Sequence, residues 1–184
     1  IAMGAEGEMV GATIPATEHS VTSSNILRIA DAKRKECGEK YGVESYLYYA
    51  EYKALKNFIT QTYPTGMCGW VSDTYDFWRL VTHILPTLKD EIMDRDGKLV
   101  IRPDSGDPVR ILCGYRLYEP TEGKPHPDTF APEVLKKGDK YYFVDTEGWD
   151  RYDDWNTGEE VAEFIGYEYG EEITEYEAKG LIQC

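Results

Sequence analysis

Between positions 43 and 59, apolar residues recur at spacings of three and four: Tyr46, Leu47, Ala50, Ala54, Leu55, Phe58 and Ile59. That period predicts an amphipathic helix. Upstream, "EMVGATIPATEHS" carries a short apolar run over 9–14 that meets Pro15, which predicts a strand opening into a polar loop. "SSNILRIADAKRKEC" places Ile26, Leu27, Ile29 and Ala30 behind a Ser/Asn start. A short helix is predicted there, its basic end at Lys33 to Lys35 suiting the helix dipole. A second apolar run over 67–71 leads into Ser72 and Asp73. A further helix follows on Tyr75, Trp78, Leu80, Val81, Ile84 and Leu85, with Pro86 breaking or restarting it at a first-turn position. "DRDGK" then reads as a turn, "LVI" as a third strand and "RPDSGDP" as its loop.

Strands that alternate with helices predict an α/β fold with a parallel sheet, whose functional residues collect at the carboxyl ends of the strands. All three polar loops would then open on one face. Beyond Pro108 the pattern changes to short Tyr-rich stretches such as "KYYFVD" between turn signals. Residues 109–172 are therefore expected to form a β-rich, irregular insertion, and Thr174 with Glu177 forms a capping box for a last helix over 173–184. The chain begins at Ile1 without an initiator methionine, and "EAKGLIQC" shows no stop signal for that helix. An internal fragment without turnover of its own is expected.

Charge narrows the partners. Lys and Arg number 20 against 34 Asp and Glu, a net charge of −14. Residues 1–114 carry 13 basic and 16 acidic side chains, and 115–184 carry 7 and 18. Such acidity argues against nucleic-acid binding through a basic patch. No apolar run approaches a membrane span. The four cysteines, Cys37, Cys68, Cys113 and Cys184, form no CxxC pair, so a reducing, cytoplasmic setting is expected rather than a zinc knuckle or disulfide framework.

Convergence of the loops would bring together Glu18, His19 and Ser20, then Ser72 and Asp73, then Arg102, Asp104 and Ser105. One imidazole, one guanidinium and three carboxylates suit a phosphorylated, polyhydroxylated substrate. Arginine forks onto phosphate, carboxylates take ribose hydroxyls or hold Mg²⁺ through water, and an aspartate fixes a histidine tautomer. Plainer readings stand beside this one. A lone His19 can be a structural residue, Ser72 and Asp73 can cap a helix beginning at Thr74, and "RPDSGDP" can be an ordinary turn.

"IPATEHS", "VSDTYD" and "VIRPDSGDP", in this order and with helices between them, resemble the central motifs of the nicotinamide phosphoribosyltransferases. The resemblance covers residues 9–108, which it implies are part of an irregular (β/α) barrel. It implies homodimers that join nicotinamide to phosphoribosyl pyrophosphate, releasing pyrophosphate and forming nicotinamide mononucleotide in NAD biosynthesis. It further implies Mg²⁺ and a coupled ATP hydrolysis through a phosphohistidine. Matched by motif, His19 is implied as the phosphorylated residue and Asp73 as the group that orients it. Asp104 is implied at the ribose hydroxyls, Arg102 at the substrate's phosphoribosyl and pyridine region, and Thr13 along the pyridine tunnel; Ser105, placed beside them by the converging loops, is expected at substrate. Glu18 is implied at pyrophosphate and Mg²⁺. Two other readings remain open: a nicotinate phosphoribosyltransferase, because the pyridine-reading aspartate is expected upstream of Ile1, and a non-catalytic acidic interaction module.

Overall fold

The computed structural model describes residues 13–119, 132–153 and 160–182, and for 146–153 and 160–167 only the backbone. The chain divides into two compact units, Ile1–Ser105 and Gly106–Cys184. It is a mixed α/β structure with parallel strands.

In the first unit, strand β1 (Cys68–Val71) pairs in parallel with β2 (Leu99–Arg102), in the register Cys68 to Leu99 through Val71 to Arg102. On the other side of β1, Ala16 forms a parallel bridge with Gly69. The Gly69 N–H donates to the Pro15 carbonyl at 2.8 Å, and the Thr17 N–H donates to the Gly69 carbonyl at 3.0 Å. Three parallel segments thus lie side by side, with β1 in the middle and fully buried. The apolar run expected as the first strand lies outside the described residues up to Ala12, and after it only Ala16 is bridged. The reason is visible at Thr17, whose hydroxyl accepts the Val71 N–H at 2.8 Å where a further strand carbonyl would.

Two long helices cover this sheet. Helix α1 (His19–Cys37) buries Thr22, Ile26 and Ala30, and α2 (Val43–Asn57) buries Tyr46, Ala50, Glu51, Ala54 and Leu55. Both rows step by four residues, so each lies along one face, and the alanines let the helices approach closely. Helix α1 is longer than expected and starts at His19, ahead of the Ser/Asn positions. Its basic end is solvated and paired: Lys35 to Asp31, Lys33 to Glu36 and Arg34 to Glu39. Helix α2 continues through a π-turn at Phe58–Thr62, where the Tyr63 N–H donates to the Phe58 carbonyl five residues back. The Phe58 ring packs edge-on against Trp70 of β1, its centroid 5.4 Å away.

The segment after β1 consists of α3 (Phe77–Arg79), a π-turn (Leu80–Ile84), α4 (Leu85–Thr87) and α5 (Lys89–Asp94). Pro86 stands in the first turn of α4, as its lack of an N–H requires. Just before it the ladder widens, and the Leu85 N–H reaches the Leu80 carbonyl. Leu80, Ile84 and Leu88 are fully buried with Ile26, Leu55, Ile59 and Trp70 in one core. The turn into β2 depends on Gly97, at φ 143°, where a Cβ would fall 2.0 Å from the Gly66 carbonyl oxygen.

The second unit begins with α6 (Pro108–Cys113), which the sequence pattern did not reveal. Asp107 caps it, accepting the Val109 N–H at 2.8 Å. A four-stranded sheet follows in the order β3 (Leu117–Tyr118), β4 (Val134–Lys137), β5 (Lys140–Asp153), β6 (Glu160–Ile173). The first pair is parallel and the others antiparallel, with several register shifts along β5 and β6. A β-rich region was expected here. Thr174 caps α7 (Glu175–Lys179), its hydroxyl accepting the Glu177 N–H at 3.2 Å. The expectation that "EAKGLIQC" lacks a stop signal is corrected by Gly180, which ends α7 at φ 73°. Among the described residues, no helix is long and apolar enough to cross a membrane. Cys37 and Cys68 are free thiols.

Candidate active site

The three parallel segments end at Thr17, Val71 and Arg102, so the residues that follow them share one end of the sheet in the first unit. His19 is the first residue of α1, and Glu18 before it is extended (φ −131°, ψ 147°), which turns the chain out of the sheet. The His19 Nε2 lies 3.5 Å from Asp73 Oδ1 and 3.7 Å from Asp104 Oδ2. Its Nδ1 lies 3.2 Å from Thr74 Oγ1. One imidazole therefore meets carboxylates from both of the other loops.

Asp73 does more than face this ring. Its Oδ2 accepts the Asp104 N–H at 3.0 Å, the Ser105 N–H at 2.7 Å and the Ser105 hydroxyl. Burial pushes the Asp73 carboxyl up, but these donors outweigh it and hold the group below the usual carboxylate range. Asp73 is thus ionised at neutral pH. Its side chain is only 8% exposed, whereas His19 and Asp104 are 45% and 41% exposed and open to a ligand. The alternative in which Ser72 and Asp73 cap a helix at Thr74 is overturned: the next helix starts at Phe77, and Asp76 caps it by accepting the Arg79 N–H. Ser72 is fully buried.

Arg102 closes the group. Its Nη2 donates to Asp104 Oδ2 at 3.0 Å and to the Thr17 carbonyl at 3.2 Å, while Nε lies 2.8 Å from Asp104 Oδ1. That Nε contact is a close ion pair without hydrogen-bond alignment, since Nε counts among the buried nitrogens without a hydrogen-bond partner. Glu18 is exposed, and its Oε1 accepts the Ser20 hydroxyl at 3.0 Å.

Of the residues expected at a site, His19, Asp73, Arg102, Asp104 and Ser105 are joined by direct contacts, and Glu18 adjoins them in the chain. Thr13 is exposed, and among the described residues no hydrogen bond or ion pair ties it to this cluster. Thr74 belongs to the cluster but was not singled out. A small hydroxyl one residue after Asp73 carries no periodic signal, and only its position in "VSDTYD" could have pointed to it. Among the described residues no group of three or more His, Cys, Asp or Glu is arranged to hold a metal by itself. An exposed carboxylate such as Glu18 fits Mg²⁺ in the other way, in which substrate phosphates and water complete the shell.

A model of the nicotinate phosphoribosyltransferase (NAPRTase) family matches residues 9–142. Over 184 residues the chain is 29% identical to a nicotinamide phosphoribosyltransferase of Acinetobacter baylyi, which covers 95% of this chain and 29% of that protein. It is 35% identical over 72 residues to the Mycoplasma pneumoniae protein of the same name, covering 39% of this chain and 16% of the other. Identity to a nicotinamide phosphoribosyltransferase of Xanthomonas campestris pv. campestris is 35% over 106 residues, 56% of this chain and 18% of the other. The chain spans less than a third of the length of each of these relatives.

Proposed function

The chain belongs to the nicotinate phosphoribosyltransferase family, and from that premise we propose that the protein forms nicotinamide mononucleotide and pyrophosphate from nicotinamide and phosphoribosyl pyrophosphate. ATP is the coupled co-substrate and Mg²⁺ the ion. The observation that carries the reading is His19 Nε2 set within 3.5 and 3.7 Å of two aspartates from two other loops. The amide is favoured over the acid because the relatives above are named for nicotinamide. The family's own name supports the acid as the second reading. In this account the parallel segments of the first unit are part of an irregular (β/α) barrel, and the protein acts as a homodimer.

The chemistry follows from the protons. Two carboxylates face Nε2 at 3.5 and 3.7 Å, and their negative charge favours the neutral tautomer of His19 that carries its proton on Nε2. That leaves the lone pair on Nδ1. It forms the N–P bond to the γ-phosphorus of ATP while the P–O bond to departing ADP breaks, and the aspartates stabilise the positive charge that the ring gains; water later attacks the phosphorus, the N–P bond breaks, and inorganic phosphate leaves with His19 restored. In the transfer step, loss of pyrophosphate builds positive charge at the anomeric carbon, and Asp104, the exposed carboxylate of the cluster, favours it. Arg102 holds Asp104 in place and offers its guanidinium to phosphate. Glu18 would hold Mg²⁺, which supplies charge neutralisation of the leaving pyrophosphate.

Steady-state assays of the intact protein with nicotinamide and with nicotinate test the substrate. Preference for the acid would overturn it. Asp104→Asn is expected to lower phosphoribosyl transfer by about 10²-fold or more. Its folding stability should change by about 1 kcal/mol or less, because the side chains of the Arg102 pair are 39% and 41% exposed. Equal loss of activity and stability would mark Asp104 as structural.

A further inference from the structure

We infer that Thr74 is a positioning residue for His19, its hydroxyl holding the imidazole in the one ring flip that presents Nδ1 as nucleophile. This inference rests on the phosphohistidine reading above. Two contacts define the ring. Nε2 faces Asp73 and Asp104, and Nδ1 lies 3.2 Å from Thr74 Oγ1. With the ring proton on Nε2, Nδ1 has no hydrogen to give, so the Thr74 hydroxyl donates to it. Turning the ring by 180° would put carbon atoms where both nitrogens now stand and would break both contacts. Neither contact alone suffices: His19 is 45% exposed, and the Nε2 distances of 3.5 and 3.7 Å are long for hydrogen bonds.

The backbone supports this role. Thr74 directly follows Asp73, whose Oδ2 is held by three donors from residues 104 and 105. Thr74 is half-buried, outside any helix, and its position is therefore set by the same loop pair that sets the carboxylates. The hydroxyl also sits on the lone pair that must attack. It has to rotate away about Cα–Cβ as the N–P bond forms, and from that place it can donate to an oxygen of the bound phosphoryl group. A methyl group there can do neither.

The test uses the intact protein labelled with ¹⁵N-histidine, with the His19 signals assigned by their loss in His19→Ala. In two-bond ¹H–¹⁵N spectra, Thr74→Val is expected to move the Nδ1 resonance toward that of a free, unbonded imine nitrogen, and Thr74→Ser to restore it. With γ-labelled ATP, Thr74→Val is expected to slow acid-labile labelling of His19 about tenfold, the worth of one neutral hydrogen bond. Phosphate should also appear on Nε2 as well as on Nδ1, as the separated phosphohistidine isomers would show. Thr74→Ser should match the wild type in both respects. An unchanged Nδ1 resonance in Thr74→Val, or a serine variant as impaired as the valine one, would overturn the inference. Absence of label from the wild type would overturn the phosphohistidine reading instead, and the spectra would still decide the role of Thr74.

Discussion

Asp73→Asn is expected to lower phosphoryl capture at His19 by about 10²- to 10⁴-fold while the protein stays folded. Asparagine keeps one acceptor oxygen, which can still take the N–H groups of Asp104 and Ser105 and the Ser105 hydroxyl. Its amide N–H group then stands 3.5 Å from His19 Nε2 in place of the carboxylate oxygen and favours a lone pair there. The ring proton must move to Nδ1, and the nucleophilic lone pair is lost. The exposed Asp104 offsets this only in part, since it lies 3.7 Å away and is held by Arg102. Loss of one charge-assisted acceptor costs about 1–3 kcal/mol of stability. Initial rates of acid-labile labelling, measured beside thermal unfolding, check both halves. A labelling rate within about threefold of the wild type would show that the carboxylate does not set the tautomer.

Glu51→Gln is expected to remove a pH-dependent loss of stability. Glu51 is fully buried on α2, neither of its oxygens has a hydrogen-bond partner, and Arg79 Nη2 lies 3.8 Å away. Burial pushes its carboxyl up to about 7; Arg79 opposes this, and Asp76 adds to it. The folded chain therefore holds a proton that the unfolded chain, with the ordinary value of 4.5, has released. Its contribution is fully present below 4.5 and is lost as pH rises through about 7. At full strength it amounts to about 3 kcal/mol. Urea unfolding at pH 5 and pH 8 should show a wild type markedly weaker at pH 8 relative to the glutamine variant. A difference between the two proteins that does not change with pH would contradict it.

Much of this was legible, and the rest has physical causes. The helix from Val43 and the buried run around Trp70 follow from spacing alone, because each element has one buried face or is buried throughout. The convergence of His19, Asp73 and Asp104 followed from strand order, since parallel segments put their loops at one end. The start of α1 was missed because its first turns, "HSVTSSN", bury only Thr22, and Glu18 makes no side-chain cap hydrogen bond. The π-turns at Phe58 and Leu80 leave no mark in a period of three or four. Helix α6 is a six-residue stretch whose cap, Asp107, looked like part of a turn. Ser105 was expected at substrate; both its N–H and its hydroxyl donate to Asp73, a long-range pairing that no local pattern encodes.

His19 takes the γ-phosphoryl group of ATP and yields it to water, which couples ATP hydrolysis to phosphoribosyl transfer. Incubation of the intact protein with γ-labelled ATP and Mg²⁺ tests it most directly. One acid-labile, alkali-stable label that His19→Ala abolishes is the expected result. No such label, or a label that survives His19→Ala, would contradict it.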